Sequence, residues 1–98
     1  ETKKIMANGH AIHEKLLSCP YFTIERIQAQ AGNSCTLRLG KAGNPDILVI
    51  LAGEGSVSSG KQAVQVDFRQ GDALLIPASL AHYEIRAARE VKIIRAYY

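Results

Sequence analysis

Long apolar runs are missing from this chain. Its longest aliphatic stretch, Ile47 to Ala52, is far below membrane-spanning length, and the opening Glu-Thr-Lys-Lys-Ile-Met-Ala-Asn-Gly-His holds no apolar signal core. A cytoplasmic location with no membrane partner is therefore expected. Cysteine is scarce as well: Cys19 and Cys35 are the only two, without Cys-x-x-Cys or Cys/His spacing. That excludes a disulfide framework and predicts free, buried thiols. Six aromatics, and lysines and arginines scattered singly apart from Lys3-Lys4, supply neither a stacking platform nor a basic stripe. A net charge of +3 thus does not imply a nucleic-acid partner. No repeat or low-complexity tract occurs.

What is there reads as one soluble domain of 98 residues, 47% hydrophobic, with a single modest core. The chain begins at Glu1 and carries its only methionine at position 6, which predicts a piece cut from a longer protein. Residues 1–18 are polar at first and then place Ile12, Leu16 and Leu17 at a loose amphipathic spacing. One short helix or an extended lead-in fits. Cys19-Pro20 ends it. Tyr21 to Ala29 is rich in β-formers, with imperfect alternation that predicts a bulge or an edge. After a Gly32-Asn33 turn, Ser34 to Leu39 alternates cleanly, with Cys35, Leu37 and Leu39 on one face. A loop over Gly40 to Pro45 leads to Asp46 to Ala52, aliphatic without alternation, which predicts a central strand covered on both faces.

Gly53-Glu54-Gly55 follows, with Glu54 read as a solvated turn residue. Ser56-Val57-Ser58 and Ala63 to Val66 then read as a hairpin around Ser59-Gly60-Lys61. The stretch that organises the chain is Gly71 to Ile85. Gly71 tolerates φ > 0, and Asp72 can hydrogen-bond its own backbone. Ala73 to Ile76 makes a short buried strand, Pro77 closes it because proline cannot donate to a ladder, and His82 opens the next. Val91 to Tyr98 is the last strand. The fold class is all-β: a sandwich or barrel of seven to nine short antiparallel strands, with a lead-in over 1–18 and the barrel over 19–98.

The spacing of Gly71, Pro77, a small residue and His82 resembles the second motif of the cupins, small jelly-roll barrels in which that histidine often binds a metal. In the first motif, counting back from Gly53 puts Asp46 at the acidic position, but the His-x-His pair due near Gly40 to Ala42 is absent. Asp46 and His82 are thus the candidate site positions, and Gly53, Gly55, Gly71, Asp72 and Pro77 are structural turn positions. A transition-metal site needs three or four convergent donors. Neither a catalytic residue nor a metal site is assigned. His10 and His13, before the barrel and three apart, are read as surface residues. Alternation turns His82, Glu84 and Arg86 outward and Tyr83 and Ile85 to the core, unless a bulge or a polar barrel lining inverts it.

Leu-Leu-Ser-Cys-Pro-Tyr-Phe-Thr-Ile-Glu-Arg, Leu-Ala-Gly-Glu-Gly-Ser-Val, and Gly-Asp-Ala-Leu-Leu-Ile-Pro-Ala with Tyr83-Glu84-Ile85 together resemble the C-terminal β-barrel domain of type I mannose-6-phosphate isomerases. The resemblance covers about Leu16 to Tyr98. It implies a parent enzyme that interconverts mannose 6-phosphate and fructose 6-phosphate with zinc held in a separate N-terminal cupin domain, which would be this chain's partner. It carries over no catalytic residue and no cofactor to these residues. A non-catalytic supporting domain follows, and self-association through the β-sandwich is a further expectation. The alternative is a free-standing, metal-free cupin that binds a small sugar or anion. Tyr97 and Tyr98 either stack on a ligand or form the contact by which the domain docks.

Overall fold

Every regular element in the computed structural model, which describes residues 3–8, 11–41, 43–59, 65–80 and 82–98, is a β-strand. The strands are β1 (Lys3–Asn8), β2 (Ala11–Ser18), β3 (Thr23–Ala29), β4 (Ser34–Arg38), β5 (Asp46–Ala52), β6 (Glu54–Ser58), β7 (Gln65–Arg69), β8 (Ala73–Ile76), β9 (His82–Ala87) and β10 (Val91–Tyr97). They form a six-stranded sheet, ordered β1-β2-β3-β10-β5-β8, and a four-stranded sheet, ordered β4-β9-β6-β7. All pairings are antiparallel. The sheets pack as a jelly-roll sandwich and are not hydrogen-bonded into a closed barrel. Of the two forms open to the lead-in, the helix is not taken: residues 3–8 and 11–18 extend the six-stranded sheet, with β2 paired along β3.

The core forms where the inward rows of both sheets interdigitate. Ile27, Leu48, Ile50, Val91 and Ile93 come from one sheet, and Tyr83, Ile85, Leu37 and Phe68 from the other. Strand β4 buries Cys35 and Leu37 and exposes Ser34, Thr36 and Arg38, as its alternation predicts. Cys35 is a buried free thiol, whereas Cys19 is only partly buried.

Four expectations need correction. Strand β3 starts at Thr23, leaving Tyr21 and Phe22 exposed, and it is no edge. Its alternation looks imperfect because the inward row is Glu25, Ile27 and Ala29, so a carboxylate takes a core position. The register irregularity lies between Lys15 and Leu17 of β2. Strand β5 is not covered on both faces: Asp46, Leu48 and Ile50 point in, while Ile47, Val49 and Leu51 are 38%, 37% and 49% exposed. Its aliphatic run is continuous because the outward face is apolar too. Strand β8 has the predicted bounds, but it is the sheet edge, and only Ile76 is buried while Leu75 is 65% exposed. The second arm of the hairpin is Gln65–Arg69 rather than Ala63 to Val66, and the expected tip at Gly60-Lys61 lies outside the described residues.

The turn chemistry holds. Gly71 has φ 94°, its N–H donates to the Ile50 carbonyl, and Asp72 Oδ2 accepts from the Arg69 N–H at 3.0 Å. A side chain there would meet open space, so the backbone conformation alone demands glycine. Gly53, at φ 87°, is doubly constrained, since a Cβ would lie 2.1 Å from the Glu90 carbonyl oxygen where the β9–β10 corner crosses it. Gly55 likewise lies against the Arg86 carbonyl. Pro77 directly follows β8 and ends it.

Candidate functional site

Five of the ten strands send a polar side chain to one place inside the sandwich. Period-2 geometry puts Glu25 in the inward row of β3 and Arg95 in that of β10, and the register sets them opposite one another. Strand β5 adds Asp46 at its first residue, β9 adds Tyr83, and β2 adds His13. All five are buried, Asp46 completely.

The contacts form one chain. The Arg95 guanidinium lies between two carboxylates, Nε 3.2 Å from Asp46 Oδ2 and 3.4 Å from Glu25 Oε1. Its Nη2 donates to the Arg38 carbonyl at 2.9 Å, reaching across to the four-stranded sheet. The Tyr83 hydroxyl returns the tie by donating to Asp46 Oδ2 at 2.6 Å. Asp46 Oδ1 accepts from the Gly40 N–H at 3.0 Å. Glu25 Oε1 accepts from His13 Nε2 at 2.6 Å, and Oε2 from the Tyr97 hydroxyl at 2.6 Å. Every oxygen of both carboxylates is thus partnered, as burial in low dielectric requires.

Electrostatics follow from these contacts. Burial alone would raise the Glu25 carboxyl, but the hydrogen bonds from His13 and Tyr97 and the Arg95 charge outweigh it and hold it below its ordinary value. The Tyr97 phenol is pushed up to about 12, first by burial and then by its bond to the Glu25 carboxylate. Tyr83 is raised further, again chiefly by burial. Burial raises the Cys35 thiol, with Arg95 opposing, so it is no reactive thiolate.

The two motif positions do not converge. Asp46 points into the sandwich, whereas His82 is exposed on the outer face of the four-stranded sheet beside Glu84 and Arg86. Alternation therefore holds on β9, and Tyr83 occupies the inward position next to the motif histidine. Among the described residues no three His, Cys, Asp or Glu side chains converge on a common point, and each oxygen of the two interior carboxylates already accepts a hydrogen bond. His13 corrects another expectation. It is buried and bonded to Glu25 because its segment is a sheet strand rather than a surface helix. His10 lies outside the described residues. Glu54 is exposed and ion-paired to Arg89 at 3.1 Å.

Sequence reasoning missed Glu25 and Arg95. The signal was present, since both share the parity of buried aliphatics, Ile27 and Ala29 in one strand and Val91 and Ile93 in the other. Opposite charges at inward parity on two strands mark a buried pair.

Tyr97 links this interior to the surface. Its ring lies against Gly40, where a Cβ would stand 2.1 Å from the ring, and 5.1 Å from the Arg95 guanidinium carbon. Outside it, Pro20, Tyr21, Phe22, Lys41 and Tyr98 border a shallow pocket of about 240 Å³.

This sandwich is the cupin fold. It superposes with a TM-score of 0.77 on an RmlC-like cupin from Desulfovibrio desulfuricans, at 19% identity over 90% of this chain and 81% of that one. Ectoine synthase from P. lautus gives 0.74 at 12% identity, covering 94% of this chain and 66% of that one. Mannose 6-phosphate isomerase from Bacillus subtilis gives 0.80 at 11% identity, with all of this chain matching 28% of the enzyme. No family model matches the sequence, and no curated protein matches it.

Proposed function

We propose that this chain is the non-catalytic cupin-fold domain of a mannose-6-phosphate isomerase, supporting a zinc-bearing catalytic domain that interconverts mannose 6-phosphate and fructose 6-phosphate. The observation that carries this reading is the interior network. Where an enzyme of this fold would need groups free for a metal or sugar, every oxygen of Glu25 and Asp46 already accepts a hydrogen bond, and Arg95 is held by ion pairs to both carboxylates and by the Arg38 carbonyl, although its Nε donates to none of them. The superposition of the whole chain on part of the Bacillus subtilis isomerase supports it. So does the aliphatic outer face of β5 and β8, where Ile47, Val49, Leu51 and Leu75 offer a surface for a neighbouring domain. Self-association through the same face is the competing use.

The coding sequence upstream tests the proposal. It should encode on the order of 200 further residues with a histidine and glutamate zinc pattern, an ordinary domain size. In a coupled assay the longer protein should isomerise mannose 6-phosphate, and this chain alone, with zinc added, should not. Turnover by the isolated chain, free of host isomerase, overturns the reading.

The pocket beside Tyr97 favours a second reading, a free-standing metal-free cupin that binds a small sugar or anion. Aromatic rings with one lysine suit a sugar face and a negative group. Saturable line broadening of Tyr21 and Tyr98 by mannose 6-phosphate would support it; none at millimolar ligand would end it.

A further inference from the structure

The last strand of each sheet, β7 and β8, borders a cleft of about 370 Å³. Its walls are Val66 of β7, Leu74 and Ile76 of β8, Val57 of β6 and Leu80 of the following loop. Ser58, Ser59 and Ser79 also border it. The Ser59 hydroxyl is buried and has no hydrogen-bond partner among the described residues. Native proteins rarely leave such a group unpaired, because it keeps the desolvation cost of a polar atom without the bond that offsets it. Among the described residues, none that lines the cleft is charged.

We propose that this seam is a binding site for a small neutral amphiphile, an aliphatic chain ending in one uncharged hydrogen-bonding group such as an alcohol or amide. The aliphatic walls take the chain, in the manner of ligand pockets that are mostly apolar with few placed polar groups. Ser59 takes the head group. An anionic head is disfavoured, because the described lining residues offer no cationic partner and desolvating a carboxylate alone is costly. The site is independent of the role assigned above and stands or falls separately.

Amide and methyl NMR of the isotope-labelled chain, titrated with octanol and in parallel with octanoate, tests it. Octanol should produce saturable shifts at Val57, Ser59, Val66, Leu74, Ile76 and Leu80, and octanoate should bind more weakly. Ser59→Ala should weaken octanol by about three- to tenfold, the worth of one hydrogen bond. Val66→Trp, at a position 47% exposed where added bulk is accommodated, should obstruct the cleft and abolish the shifts. Absence of saturable shifts, shifts confined to the Ile47, Val49 and Leu51 face, equal binding of octanoate, or unchanged affinity in Ser59→Ala would each overturn the proposal.

Discussion

Arg95 and Asp46 meet inside the sandwich with Nε 3.2 Å from Oδ2, and the same guanidinium also faces Glu25. Removing it strands two buried carboxylates. Arg95→Met should therefore cost on the order of 3–5 kcal/mol, the penalty for breaking a buried ion pair from one side. For a domain of this size each kcal/mol shifts Tm by roughly 4–8 °C. Urea melts measure the cost; a loss under about 1 kcal/mol would mean the network carries no net stability.

Gly71 and His82 separate fold from site in the motif. Gly71→Val forces a β-branched residue to φ 94° and should cost on the order of 1–3 kcal/mol. His82→Ala removes an exposed side chain and should cost under about 1 kcal/mol. Equal damage from both, in parallel denaturant melts, would contradict the outward setting of His82.

Metal content is a third test. Purified alone, the chain should hold no stoichiometric zinc, manganese or iron, because the interior carboxylates are already partnered and His82 faces solvent. Elemental analysis after exposure to each ion checks this. One tightly held equivalent would refute it.

The Glu25–Tyr97 pair sets pH limits at both ends. With the folded Glu25 pKa below its ordinary 4.5, its stabilisation is present above that value and is lost as pH falls through the lower folded one. Tyr97, raised from 10 to about 12, contributes fully below pH 10 and loses that contribution as pH climbs toward 12. Glu25→Gln should flatten the acid limb of a Tm–pH curve and Tyr97→Phe part of the alkaline one. Unaltered limbs in both variants would show that the pair is not linked to folding.

Legibility in the sequence followed physical rule. Ser34 to Leu39, Gly71-Asp72, Pro77 and the β9 alternation were readable because one face is apolar, one polar, and the turn residues have a single use. Strand β5 misled for the opposite reason: both its faces are aliphatic, so nothing in the run distinguishes a buried from a half-exposed strand. The interior site was the least legible part. Glu25 and Arg95 look like surface charges until two strands 62 positions apart, at Ala29 and Val91, are set side by side, and only their shared parity with core aliphatics gives them away. His13 was hidden by a segment whose spacing suits helix and strand alike.

The tenth strand, last in order, lies between β3 and β5 in the middle of the six-stranded sheet. Assembly therefore cannot follow the order of synthesis. Until Val91–Tyr97 has left the ribosome, the β1-β2-β3 and β5-β8 halves have no common partner, and β3 and β5 each present an unpaired flank to any neighbouring polypeptide. Closing such distant contacts late is slow, and nascent or truncated chains lacking this keystone should be the ones that chaperones hold and that aggregate.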